Sequence, residues 1–181
     1  IAWHTRHLSR HVGAAKPVVR ARQSLAGEGL QVLVYAPDQP DLFARICGYF
    51  DGAGFSILDA KIHTTNNGYA LDTFQVVTSL IPEHYRELIN MVESQLAQTV
   101  EERGPLPPPN RGRVSRRVRS FPVAPRVDLR PDEKAQRWLL SVSASDRPGL
   151  LYGVARILAD HKINLLLAKV TTLGERVEDT F

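Results

Sequence analysis

Two short stretches of this chain set the same residue types at the same spacing: Asp38-Gln39-Pro40-Asp41-Leu42 and Asp146-Arg147-Pro148-Gly149-Leu150. Each stands between a run of strand formers and an apolar helical stripe, at the first helical turn, where the early N–H groups have no intrahelical partner. Such a turn attracts a small anion, for example a carboxylate. In the second stretch Gly149 removes the side chain that would block close approach, and Asp146 can accept hydrogen bonds from an ammonium group. Together they complement the two charged ends of a free α-amino acid. Asn164, at the start of the strand after that helix, offers an amide that both donates and accepts, suited to a ligand carboxamide or backbone. The first stretch has Asp41 in place of Gly149 and Ser56 in place of Asn164. An acidic side chain at the helix start repels a carboxylate, so Asp38, Pro40, Asp41, Leu42 and Ser56 make a second, weaker site. The turn is also an ordinary capping arrangement, with Asp as the cap and Pro in the first turn, and by itself it leaves both readings open.

Other residues with chemical potential lead less far. The single cysteine, Cys47, falls inside an apolar helical pattern with no partner for a disulfide or a zinc site, and reads as a buried small side chain. His4, His7 and His11 could share one helix face, but a solvated helix end explains them without metal. No nucleophile, base or metal cluster assembles, so neither a catalytic nor a metal site is expected in the chain. The net charge of +4 hints at nucleic acid. Its location argues against that: residues 103–130 hold eight arginines and one acid, a balance of +7, which leaves −3 for the rest. A nucleic-acid arm would want interleaved aromatics, and this stretch has Phe121 alone. Neither nucleic acid nor membrane is expected as a partner; no run approaches the roughly 18 apolar residues of a membrane helix. The start of the chain lacks the features of a signal peptide, and the expected location is the cytoplasm.

The elements that must hold the two turns follow from periodicity. Residues 1–12 read as a helix, the tail of an upstream domain, with a linker to residue 28. Leu30–Ala36 is a strand; Leu42, Phe43, Ile46, Phe50 and Ala53 make a helical stripe of period near 3.6, ended by Gly54. Leu58, Ala60 and Ile62 alternate with Asp59, Lys61 and His63 in a second strand, Asn66-Asn67-Gly68 turns the chain, and residues 69–77 return as a third. A second helix spans about 82–102, with Pro82 in its first turn. Residues 103–131 hold seven of the twelve prolines and open as an extended connector. Within it, residues 114–121 read as an edge strand with arginines facing water. The class is α+β, and the order strand, helix, strand, strand, helix, strand is that of a ferredoxin-like βαββαβ unit.

A second unit overlays the first at a constant shift of 108 residues: Asp38 on Asp146, Pro40 on Pro148, Ile46 on Val154, Ala60 on Ala168, Lys61 on Lys169. After a one-residue deletion, Asp72-Thr73-Phe74 falls on Asp179-Thr180-Phe181. So many matches in order argue for duplication. The expected organisation is an upstream tail and linker at 1–28, a first module at 29–123, a linker at 124–136, and a second module at 137–181 that lacks its closing helix and strand.

The stretch "DRPGLL", its helix, and the hairpin ending "GERVEDTF" resemble an ACT domain, a ferredoxin-like module that commonly binds amino acids as a regulatory unit. More narrowly, "WHTRHL", "YAPDQPDLFA", "DAKIHTTNNGYALDTF" and "TTLGERVEDTF" resemble the C-terminal tandem ACT pair of the bifunctional uridylyltransferase/uridylyl-removing family. The resemblance implies a cytoplasmic multidomain parent. One catalytic domain would use Mg²⁺ to transfer UMP from UTP to the signalling protein PII, and an HD-type domain, to which residues 1–12 would connect, would remove it. Its ACT pair would sense glutamine. The favoured glutamine site is then Asp146, Arg147, Pro148, Gly149, Leu150 and Asn164. The modules would pair with each other or with another chain, and the fragment itself would hold no cofactor. A pair that only docks a partner and binds no small molecule is the alternative.

Overall fold

The computed structural model describes residues 2–25, 28–78, 85–112, 122–132 and 136–181. Its elements are α1 (Ala2–Leu8), β1 (Val18–Gln23), β2 (Leu30–Pro37), α2 (Leu42–Gly52), β3 (Phe55–His63), β4 (Tyr69–Thr78), α3 (Tyr85–Glu102), β5 (Arg126–Asp132), β6 (Arg137–Ser145), α4 (Leu150–Asp160), β7 (Leu167–Leu173) and β8 (Arg176–Thr180). The strands form one eight-stranded sheet in the order β1-β2-β4-β3-β7-β8-β6-β5. All neighbours run antiparallel.

Each half reproduces the ferredoxin-like arrangement, with the first strand of the unit flanked by the third and by an edge strand. The structure differs from the sequence reading in where that edge strand comes from. In both halves it precedes the unit: β1 pairs with β2, and β5 with β6. The stretches 1–28 and 124–136, expected as tail and linkers, therefore each contribute a strand. Their sequences conceal it for a physical reason. An edge strand has one paired side and needs little burial, so arginines such as Arg20 and Arg22 and the Pro131 that would exclude a central strand are tolerated. All of β5 but Asp132 is exposed, and the ladder to β6 holds it in place. The strand expected at about 114–121 and the first turn expected for α3 at 82–84 lie outside the described residues.

The two halves join through β3 and β7. The register sets Ala60 opposite Val170, Lys61 opposite Lys169 and Ile62 opposite Ala168. Lys61 and Lys169 are the same position of the repeat, so equivalent residues meet on a pseudo-twofold axis, as in an isologous dimer built from one chain. Helix α2 packs on α4 beneath the seam. There Gly48 admits the Tyr152 ring: a Cβ on it would stand 2.9 Å from two ring carbons. One continuous core runs through both halves. Phe50 lies 5.5 Å from Phe74, and Phe43 reaches across to Phe181 at 6.1 Å between ring centroids. Burying a phenylalanine such as Phe50 contributes about 1.5–3 kcal/mol, so the seam is a core and not a surface contact.

Candidate functional site

The Asp146 turn follows directly from strand β6. The Asp146 N–H donates to the Glu175 carbonyl at 2.8 Å, tying the turn to the β7–β8 hairpin. Gly149 then opens α4 at φ 74°, a left-handed conformation that glycine adopts without strain. No side-chain hydrogen bond caps α4 or α2. The capping reading of the repeated turn therefore has no support at either helix, and the Asp146 carboxylate instead accepts from the Arg147 backbone N–H.

The turn lines a cavity of about 390 Å³ at the seam. Asp146, Arg147, Pro148, Gly149 and Leu150 all border it, together with Ser56 and Asp51 of the first half. Asn164 does not. It is exposed in the loop before β7, at the opposite end of the sheet, because the antiparallel seam carries the start of β3 and not the start of β7 to the Asp146 turn. The Asp146 turn thus lies beside the first half's second strand, and Ser56, assigned from sequence to the weaker site, borders its cavity. That placement has no signal in the sequence of one repeat.

The cavity is acidic. Burial raises the Asp146 carboxyl above its ordinary value, the Arg147 hydrogen bond opposes this, and the Glu175 charge adds to it. Asp179, almost fully buried on the cavity wall, is pushed up to about 6, chiefly by burial. The Thr171 N–H, 3.4 Å from its Oδ1, works against that shift, and the Asp146 charge reinforces it. With Asp51 and Glu175, these groups favour an ammonium; the first turn of α4 and Arg147 supply the complement for a carboxylate. Sequence reasoning missed Asp51, Glu175 and Asp179, although the aspartate of the repeated Asp-Thr-Phe, Asp72 and Asp179, is a signal that could have been used. Cys47, read as a buried apolar residue, is buried and borders the cavity, where desolvation raises its thiol well above the ordinary value.

The first copy's turn is committed to internal bonds. The Asp38 N–H donates to Gly68 O at 2.9 Å, and Thr64 Oγ1 donates to the Asp38 carboxylate at 3.4 Å. Asp41 is paired with Arg45, Pro40 is exposed and Leu42 is in the core. Its Asp72, the counterpart of Asp179, is raised to about 8 by burial, against a hydrogen bond from the His63 N–H. Elsewhere His4 packs edge-on against Trp3, and among the described residues no His, Cys, Asp and Glu cluster suits a metal ion.

Residues 138–181 match the ACT domain. Over its whole length the chain is similar to proteins named bifunctional uridylyltransferase/uridylyl-removing enzyme: 60% identical to that of Ralstonia nicotianae over 185 residues, and 59% to that of Cupriavidus metallidurans and 58% to that of Burkholderia lata, each over 181 residues. It spans only 22%, 21% and 21% of those proteins, about a fifth of their length. No solved structure matches the chain.

Proposed function

We propose, from the ACT domain at residues 138–181 and the full-length similarity to bifunctional uridylyltransferase/uridylyl-removing enzymes, that this chain is the regulatory ACT pair of such an enzyme. It senses free glutamine. The observation that carries this is the Asp146 turn: a carboxylate and an uncapped helix start opening together on a cavity of about 390 Å³ between two packed modules. Asp146, with Glu175 and Asp179 beside it, receives the ammonium; the α4 N–H groups and Arg147 receive the carboxylate; the side-chain amide extends toward Ser56 and Thr172 on the seam strands. Carriage of PII as substrate, Mg²⁺ in the catalytic domains and a cytoplasmic location belong to the same proposal for the parent protein.

The test is calorimetry with glutamine, glutamate, asparagine and UTP in turn. Heat with glutamine is expected, at an affinity that Asp146→Ala weakens by at least about tenfold, the loss of one charge-assisted hydrogen bond. Retained affinity in that variant would remove the site. Silence with all four would favour the docking-only reading, for which the exposed Trp138, Val127 and Leu129 on strands β5 and β6 offer an apolar surface.

A further inference from the structure

The proline-rich segment 104–112 is built into the seam. Pro105, Pro107, Pro108 and Pro109 keep it extended at little entropic cost on ordering. Four hydrogen bonds fix it to both halves. Arg45 Nη1 donates to Gly104 O at 2.6 Å, and the Asn110 N–H to Asp51 Oδ2 at 2.6 Å, both on α2. From α4, the Tyr152 hydroxyl at 2.6 Å and Arg156 Nη1 at 3.0 Å converge on Pro107 O.

The segment then crosses the Asp146 turn. The Asn110 carbonyl oxygen lies 2.4 Å from where a Cβ on Gly149 would stand, and the Pro148 ring lies 2.9 Å from where one on Gly112 would stand. The clearance that Gly149 provides is therefore filled by the chain's own backbone. The cavity nonetheless stays open beside it, with Asn110 on its wall.

We infer that this segment is the third wall of the amino-acid site, with Asn110 as its contact, so that ligand and docked segment stabilise each other. The inference rests on the cavity being the amino-acid site, as proposed above. The connector between the modules would then report occupancy: removing the ligand loosens it, and loosening it lowers affinity.

Two measurements on the whole chain test this with glutamine as probe. Hydrogen exchange reads the amides of Leu106, Asn110 and Arg111, and calorimetry compares the chain with an Arg156→Gln/Gly112→Ala double variant. Neither residue lines the cavity: Arg156→Gln removes one of the two donors to Pro107 O, together with its ion pair to Asp160, and a methyl on Gly112 pushes the segment off the Pro148 ring. Saturating glutamine should slow exchange at the three amides, and the double variant should bind roughly three- to tenfold more weakly. Binding with unchanged or faster exchange, or with equal or tighter affinity in the variant, would overturn the third wall while leaving the site intact. No heat from glutamine, glutamate or asparagine in either protein would overturn the amino-acid reading itself, and this inference with it.

Discussion

At the scale of single residues, the buried carboxylates carry the clearest consequences. Asp72 is almost fully buried and its carboxyl is raised from 3.8 to about 8 by that burial. Below pH 4 the folded and unfolded chains are both protonated there. Between about 4 and 8 the unfolded chain releases a proton that the fold retains, so stability falls as pH rises, and above 8 the effect levels off. Asp179 adds a contribution of the same sign between about 4 and 6. Asp72→Asn keeps an acceptor for the His63 N–H but cannot ionise. Thermal melts from pH 4 to 9 should show a flatter profile for this variant and a gain at pH 8 of several degrees, at roughly 2–4 °C per kcal/mol. An unchanged slope would mean that Asp72 ionises freely in the fold.

At the scale of elements, contact between α2 and α4 decides whether the modules are held as one. Gly48 and Gly52 sit one turn apart on α2, and helix propensity alone gives each change to alanine up to about 1 kcal/mol of stabilisation. Their surroundings differ. A methyl on Gly52 meets nothing within 4 Å, whereas one on Gly48 runs into the Tyr152 ring, which is 2% exposed and tied through its hydroxyl to Pro107 O. Gly52→Ala should raise the urea midpoint and Gly48→Ala should lower it, the overpacking costing roughly 1–3 kcal/mol. Equal and favourable shifts would show that the two helices are not pressed together at this point.

At the scale of the whole molecule, the continuous core predicts joint unfolding. Trp3 reports on the first half, through its contact with Arg22 at 4.3 Å, and Trp138 on the second. In Trp3→Phe and Trp138→Phe variants the remaining tryptophan should give the same urea midpoint within error, since Phe43, Phe50, Tyr152 and Phe181 share one cluster. Two separated midpoints would mean that the seam is weaker than either module. For the proposed sensor the joining matters, because a ligand at the seam would act on both modules at once.

The sequence by itself determined the duplication, the class of each unit, the strand and helix of each repeat around its Asp-x-Pro turn, and the residues 146–150 that border the cavity. These are local properties, carried by periodicities of 2 and 3.6 and by turn chemistry within a few residues. Only the tertiary structure decided the rest. The edge strands β1 and β5 read as charged connectors because an edge needs little burial. Ser56 borders the Asp146 turn and Asn164 does not, because the antiparallel register of β3 on β7 brings the start of β3 to that turn. Asn110 reached the cavity because Gly149, nearly forty residues later, leaves space for a backbone that no spacing rule connects to it.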